Sequence, residues 1–378
     1  MYSGQAQLSD IDELSGLYWS VYGEDYPLEL GTNKTLMRRA LQSPEEYYWL
    51  VMKENGHIIG SCIVEIDIHT RIGKISGVAV HPNWRGNKIA TKLVAESVQK
   101  ILREEKRVHS LYSTTRTVAV SSQMMLLHNG LRPLGIFPNA RKIKSYETLT
   151  LMGIFNEGVL EQRVALKKLP SSVANLLSIV ETALNLKPTN PESYEFVSDR
   201  NDDFISDEKF EFIYAADFVE KRSKEVFSNN PDATFYPFHK ANLLIHAATS
   251  QVELYACFSK KDHYCVLIGA NRPVIELSKH FKKMLFDLKE IGVYYLEVLV
   301  RADSLDNMHF FLEQNFIPSA FYPAMREQNG KMYDYVLMTR NMVPLDFSEL
   351  AVENSFMPYV KHYTHQWIQK HLERFAGV

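Results

Sequence analysis

The sequence is poor in cysteine. The three cysteines, Cys62, Cys257 and Cys265, lie far apart in the chain. Such spacing supports neither a disulfide framework nor a cysteine metal cluster, and it suits a reducing compartment such as the cytoplasm.

Long apolar runs and an excess of basic charge are missing as well. No apolar stretch approaches the ~20 residues that span a bilayer, and the first residues have neither the charged nor the apolar part of a signal peptide. The 42 Lys and Arg residues are scattered and are balanced by 45 Asp and Glu, for a net charge of −3. We therefore expect a cytoplasmic monomer or homodimer that binds neither membrane nor nucleic acid.

Histidines near the C terminus give a weak metal-binding pattern. His362, His365 and His371 fall within residues 359–375, whose apolar periodicity predicts an amphipathic helix. The spacing of two histidines alone does not complete a ligand set, so no metal is predicted and a solvated helix face is favoured.

Two glycine-rich phosphate motifs are absent, the Walker A loop and the Gly-x-Gly-x-x-Gly fingerprint. Residues 78–90 instead read Val-Ala-Val-His-Pro-Asn-Trp-Arg-Gly-Asn-Lys-Ile-Ala. This pattern predicts a strand, a turn at Pro82 and a helix that begins near Ile89. The first N–H groups of such a helix lie at the positive end of its dipole and bind phosphate oxygens, so a phosphate-bearing cofactor is expected here.

The chain is long enough for two domains, and its halves resemble each other. Residues 126–133 match residues 311–318 at an offset of 185 residues, and Pro138 matches Pro323 at the same offset. The simplest interpretation is one supersecondary unit used twice, although two unrelated α/β segments would share the same order of elements. The early strands of the second half look fewer than those of the first.

We expect four segments. They are a first domain at residues 1–155, a helical connector and linker at 156–205, a second domain at 206–345 and a C-terminal helix at 346–378. Opposite the Arg-Gly-Asn-Lys of residues 85–88, the second half has Ala270-Asn271-Arg272-Pro273. The second copy is therefore expected to be structural or to shape the substrate site.

The Val-x-Pro-x-x-Arg-Gly-x-x-Ile-Ala pattern resembles the coenzyme A loop of the GNAT acyltransferases. Arg85, Gly86, Ile89 and Ala90 fit that loop, and Lys88 stands where a glycine is usual. Helices at residues 11–23 and 34–41, a hairpin about Asn55-Gly56 and a strand–helix–strand unit follow the same order. The resemblance implies an α/β (α+β) fold of two GNAT-like domains, the second degenerate. Each would be a mixed, mostly antiparallel twisted sheet flanked by helices, with strands splayed at the cofactor site.

The resemblance also implies a cofactor, acetyl-CoA (coenzyme A), and residues that hold it. The backbone of Val78 and Val80 would pair with the pantetheine arm, and the Val80 amide would stabilise the oxyanion. The pyrophosphate would be bound by backbone N–H groups of Arg85, Gly86, Asn87, Lys88, Ile89 and Ala90.

Acyl transfer to an amine needs a base, and the strand at residues 57–69 offers one. Val64, Ile66 and Ile68 alternate toward the core, which places Glu65, Asp67 and His69 on the other face. Glu65 is the candidate base. The alternative is that Glu65, Asp67 and His69 form an ordinary solvated face of the sheet.

The sequence does not single out the acid that would protonate the departing thiolate. At the position of the family's usual tyrosine the first half has Leu126 and the second has Phe311, and neither side chain donates a proton. The thiolate leaves unprotonated, Tyr112 serves as the acid, or the copy has lost catalysis; the sequence leaves these alternatives open.

Two aromatic stretches, residues 18–27 and 235–239, fall where such folds line the acceptor pocket. They suit a cationic amine, and packing at helix ends is the alternative. The predicted function is acetyl transfer to an amine of a small molecule, by direct attack in a ternary complex. The rival hypothesis is a non-catalytic acyl-CoA-binding sensor or interaction protein.

Overall fold

A computed structural model describes residues 1–23, 28–197 and 206–371 of the chain, without the side chains of residues 231 and 232. Fourteen described strands form one mixed, mostly antiparallel sheet with helices packed against it, and two short strands form a second sheet. The helices are α1 (Ile11–Tyr22), α2 (Lys34–Leu41), α3 (Ile89–Val98), α4 (Ser121–His128), α5 (Ser171–Ala183), α6 (Ala216–Val226), α7 (Phe281–Glu290), α8 (Leu305–Glu313) and α9 (Met357–His371). The strands are β1 (Tyr2–Gln5), β2 (Tyr47–Glu54), β3 (His57–Asp67), β4 (Ile72–Val80), β5 (Ser110–Arg116), β6 (Arg132–Lys142), β7 (Tyr146–Phe155), β8 (Lys168–Pro170), β9 (Glu192–Tyr194), β10 (Phe210–Tyr214), β11 (Leu243–Ala247), β12 (Val252–Ser259), β13 (Tyr264–Ala270), β14 (Tyr295–Arg301), β15 (Ile317–Gln328) and β16 (Lys331–Asn341).

Local signals account for the elements of the first half. The β2–β3 hairpin turns at Asn55 and Gly56, whose φ angles of 50° and 85° suit the tight turn that Asn-Gly favours. α2 begins after Asn33, whose side chain accepts hydrogen bonds from the backbone N–H groups of Thr35 and Leu36.

The strand order of the large sheet repeats. From one edge to the middle the strands run β1-β2-β3-β4-β5-β7-β6, and from the other edge they run β10-β11-β12-β13-β14-β16-β15. Among the described strands of this sheet, the parallel pairs are β4–β5 and β13–β14, which occupy equivalent places in the two runs. Each half therefore has the same order and the same strand directions when it is read from its own edge.

The two halves of the sheet meet at β6 and β15. These strands pair at one position, Gly135 opposite Ala320. A Cβ on Gly135 would lie 2.2 Å from the Cβ of Ala320, so only glycine permits this approach. α5 and α9 pack against both strands, and the hydroxyl of Tyr359 donates to the backbone O of Pro133 at 2.7 Å. One buried apolar cluster contains side chains from both halves.

Some predicted elements differ from the structure. The described part of the connector predicted at 156–205 is helical only in places: α5 begins at Ser171, after the short strand β8, and the strand β9 follows α5. Ile68 is 49% exposed, because β3 ends at Asp67, whose carboxylate accepts hydrogen bonds from the N–H groups of His69 and Thr70. The second half was expected to have fewer early strands, but β10 to β12 precede its parallel pair just as β1 to β3 precede that of the first half.

Helix α9 begins at Met357, and residues 372–378 of the segment predicted for it lie outside the described part of the chain. His362 is not on a solvated face: burial lowers the pKa of this imidazole to about 4. The described residues contain no group of three or more His, Cys, Asp or Glu side chains that could hold a metal ion. Within the same residues, no helix has both the length and the apolarity needed to cross a membrane.

Candidate active site

A cleft opens between β4 and β5. The two strands pair only where Ile72–Lys74 lies beside Ser110–Tyr112. Beyond that point β4 stays with β3 and β5 stays with β7, so the two strands diverge. The hydroxyl of Ser113 donates to the backbone O of Ile75 at 2.9 Å, at the narrow end of this first cleft.

β4 carries a bulge at the edge of the first cleft. Ser76 lies opposite Ile63 and Ala79 opposite Ser61, so that Gly77 and Val78 have no separate partners on β3. The φ of Gly77 is +57°, and a Cβ there would lie 2.6 Å from the Ile63 side chain. Only glycine therefore fits at this position.

Two tyrosines of α1 hold the bulge. The hydroxyl of Tyr18 donates to the backbone O of Gly77 at 2.7 Å, and that of Tyr22 donates to the backbone O of Val78 at 2.8 Å. The first part of the predicted 18–27 aromatic stretch thus supports the bulge. Residues 24–27 of that stretch lie outside the described residues.

The 84–90 loop joins β4 to α3. Gly86 has a φ of +85° and Lys88 a φ of +56°, so the chain makes two left-handed bends before α3 begins at Ile89. Within the described ranges, the backbone N–H groups of residues 86–90 have no hydrogen-bond acceptor. A run of free N–H groups at the positive end of a helix dipole suits an anion.

The side chains around this loop add positive charge. Arg85, Lys88 and Lys92 are exposed, and no acidic side chain of the described residues lies within 4 Å of their charged groups. The helix is fixed close to the sheet, because a Cβ on Gly60 would lie 2.6 Å from the Ile89 side chain. Residues 85–88 are exposed to solvent, so neither the Lys88 side chain nor the second half covers the loop.

The two predicted catalytic residues lie on one face of the sheet beside the first cleft. Glu65, Lys74 and Tyr112 are directly opposite one another on β3, β4 and β5. Glu65 accepts a hydrogen bond from Ser76 at 2.8 Å and lies 3.8 Å from the Lys74 ammonium. Asp67, the last residue of β3, pairs with Ile72 of β4 and shares the face of Glu65. His69 does not extend this row, because it lies in the turn that follows β3.

Tyr112 is buried, with 8% of its surface exposed. Burial first, and then the negative charge of Glu65, raise the pKa of its phenol well above the ordinary value. Leu126 and Phe311 are also buried, on α4 and α8. They are core residues at the places where the sequence comparison of the two halves aligns them.

A second cleft lies between β13 and β14. Their pairing ends at Leu267 and Val298, and a groove of about 670 Å³ follows. The turn after β13 differs from the 84–90 loop: the N–H of Asn271 bonds to the backbone O of Glu253, and Pro273 has no N–H. This groove has space for a ligand but lacks the run of free N–H groups.

A central cavity of about 280 Å³ lies between the halves. Lys74, Tyr112 and Thr114 line it from the first half. Tyr236, His239, Tyr264 and Glu297 line it from the second. Three of the five residues in the predicted 235–239 stretch line the cavity: Tyr236, Pro237 and His239. The sequence analysis missed Glu297, because nothing near it in sequence distinguishes it from a strand residue on a solvated face.

Comparison with known proteins adds a family. Residues 10–123 match the family model described as Acetyltransferase (GNAT) family. None of the curated proteins compared matches the chain.

Solved structures similar to part of the chain are acetyltransferases, and each similarity covers 41% of this chain. The ribosomal-protein-alanine N-acetyltransferase from Brucella melitensis is 18% identical over 99% of its own length, with a TM-score of 0.37. The putative acetyltransferase yncA from Salmonella typhimurium, solved with its cofactor acetyl-CoA, is 16% identical over 93%, with a TM-score of 0.36. The ribosomal-protein-S18-alanine N-acetyltransferase from Escherichia coli is 13% identical over 92%, with a TM-score of 0.35. The family match runs from the start of α1 into α4, so it includes β4, the 84–90 loop and α3.

Proposed function

We propose that this protein transfers an acetyl group from acetyl-CoA to an amine of a small molecule, with acetyl-CoA held by the first half. The observation that carries the proposal is the run of free N–H groups at residues 86–90, at the open end of the first cleft. The family match at residues 10–123 supports the same reaction.

The residues of the loop fit a nucleotide diphosphate. The free N–H groups would bind phosphate oxygens, and Arg85 and Lys88 would pair with the remaining charge. Gly86 leaves open space above the loop, since a Cβ there would meet no atom within 4 Å. The backbone of Val78 and Val80 would hold the pantetheine arm along β4, with the Val80 N–H as donor to the carbonyl oxygen as it gains charge.

When bound, acetyl-CoA supplies an activated thioester. The amine nitrogen bonds to the acetyl carbon while the carbon–sulfur bond breaks, and coenzyme A leaves as a thiol. An amine arrives protonated, so Glu65 would take its proton before attack. Tyr112 would give a proton to the departing sulfur, because its raised pKa keeps the phenol protonated at neutral pH. The second proton that the nitrogen loses after attack would restore the phenol.

We also propose that the two matching halves of the sheet are two copies of one domain, at residues 1–155 and 206–345, with a connector at 156–205 and a C-terminal helix at 346–378. The repeated strand order supports this division. The second copy would shape the acceptor site.

The test is release of free thiol from acetyl-CoA, measured across a panel of primary amines that includes aromatic amines, polyamines and amino sugars. Acetylation of at least one amine at a rate above the background without protein is the expected result. Calorimetric binding of acetyl-CoA with no turnover on any amine would contradict it. That result would favour the second candidate, a non-catalytic acyl-CoA-binding protein, which the apolar Leu126 and Phe311 support.

A further inference from the structure

The central cavity contains a buried carboxylate that no cation neutralises. Glu297 is 4% exposed and accepts hydrogen bonds from the hydroxyls of Tyr236 and Tyr295. Within the described residues, no Lys, Arg or His side chain lies within 4 Å of its oxygens. Burial raises the pKa of Glu297, as it does for a carboxylate without an opposite charge.

The other charges of the cavity are balanced. Lys74 lies 3.8 Å from Glu65, and Arg141 lies 3.9 Å from Asp262. Burial lowers the pKa of His239 to about 4, so this imidazole is neutral at neutral pH. The unbalanced charge of the cavity is therefore that of Glu297, and a ligand with one positive charge would neutralise it.

The walls of the cavity suit an organic cation. The aromatic rings of Tyr112, Tyr236, Tyr264 and Tyr322 line it, and aromatic faces attract ammonium groups. Leucine and methionine side chains cover much of the rest. A volume of about 280 Å³ lies below the roughly 300–1,000 Å³ of sites for drug-sized ligands, which indicates a smaller molecule.

The cavity is also in the right place for an acceptor. Lys74 and Tyr112 are the last paired residues of β4 and β5, and Thr114 lies beyond them on the edge of the first cleft. The cavity thus begins where the first cleft begins. Its carboxylate comes from β14, which gives the second half a part in the site.

We propose that the central cavity binds the amine acceptor as a small organic cation with an apolar or aromatic body, and that Glu297 of the second half binds its ammonium group. The identification of this cation as the acetyl acceptor rests on the proposed function. The geometry predicts that the second half selects the substrate while the first half holds the acetyl donor.

The experiment compares three ligands of the same shape that differ in charge: 2-phenylethylamine, 2-phenylethanol and phenylacetate. Binding is measured by calorimetry in saturating coenzyme A, where no acetyl transfer occurs. The variants are Glu297→Gln and Thr114→Trp. Thr114 is exposed at the rim of the cavity, and a tryptophan there would narrow the cavity. Glu192→Gln, an exposed carboxylate paired with Lys168, is the matched control.

We expect wild-type protein and Glu192→Gln to bind the amine about tenfold more tightly than the alcohol. Glu297→Gln should lose this preference while its coenzyme A binding stays unchanged, and Thr114→Trp should weaken the binding of both ligands. Equal amine affinity in wild type and Glu297→Gln, tightest binding of phenylacetate, or no binding of any of the three would overturn the proposal. Because Thr114→Trp alters no buried residue, its result stands even if Glu297→Gln fails to fold.

Acetylation of 2-phenylethylamine, followed separately by thiol release, distinguishes the two proposals. Transfer with the same KM in wild type and Glu297→Gln would overturn the cation site and keep the transferase. Binding that depends on Glu297, without transfer of acetyl to any amine, would overturn the transferase and keep the cation site.

Discussion

Gly86 is the residue on which the shape of the 84–90 loop depends most directly. Its φ of +85° lies in the left-handed region, and no atom would contact a Cβ added there. A side chain would therefore change the backbone angle rather than fill occupied space. The N–H groups that follow Gly86 would turn with it.

Gly86→Ala should weaken acetyl-CoA binding about tenfold, because the free N–H groups would no longer converge on the phosphates. Gly292→Ala is a matched control, since Gly292 has a φ of +93° and equally open surroundings far from the loop. Both variants should lose roughly 1 kcal/mol of unfolding free energy from left-handed strain. Calorimetry with acetyl-CoA checks the difference, and equal affinities in the two variants would contradict the role of the loop.

Tyr112→Phe tests whether the phenol is the proton donor. If it protonates the departing sulfur, kcat should fall about 100-fold while the KM for acetyl-CoA stays within about twofold. Tyr48→Phe, a buried tyrosine on β2, should keep its kcat. A Tyr112→Phe enzyme with wild-type kcat would mean that the thiolate leaves without help from this residue.

Among the elements, the β4–loop–α3 unit could be predicted from the sequence because its signals are local. Pro82, Gly86 and the helical periodicity after Ile89 lie within a few residues of one another. The bulge of β4 could not be predicted, since it depends on Tyr18 and Tyr22 of a distant helix. The same holds for Glu297, whose importance comes from a cavity formed by strands of both halves.

The prediction from apolar alternation was also wrong at the end of β3. Ile68 fits the apolar pattern of Val64 and Ile66, yet it lies in the turn that Asp67 stabilises and is exposed. Periodicity predicts which residues share a face, but it does not predict the last residue of a strand.

A buried charge group joins the connector, α5 and β16. Arg163 lies 3.3 Å from Asp334 and 3.7 Å from Glu181, and both carboxylates are buried. Burial raises the pKa of Asp334 to about 6, against the opposing charge of Arg163, and Glu181 raises it further. One cation between two buried carboxylates leaves an uncompensated negative charge.

The free energy of unfolding should therefore depend on pH through Asp334. The native state binds this proton more tightly than the unfolded chain, so the contribution of Asp334 is greatest below pH 4 and is lost as the pH rises to about 6. The expected loss is roughly 3 kcal/mol. Urea unfolding between pH 4 and 7 measures this dependence. Asp334→Asn should remove that amount of change from the plot of unfolding free energy against pH. Asp217→Asn, at an exposed position on α6, should leave the plot unchanged. Equal slopes in the two variants would contradict it.

For the whole molecule, the matching strand orders create two clefts and one cavity between them. The first cleft has the free N–H groups, the second has the larger groove, and the cavity has the unbalanced carboxylate. In this account the halves divide the work: one holds the acetyl donor and the other completes the acceptor site.

The most direct test is a crystal structure of the full chain with acetyl-CoA bound. The account predicts the diphosphate within hydrogen-bond distance of the N–H groups of residues 86–90, and the acetyl group between β4 and β5 facing the central cavity. Acetyl-CoA bound only in the groove between β13 and β14, or a bare 84–90 loop at saturating acetyl-CoA, would contradict it.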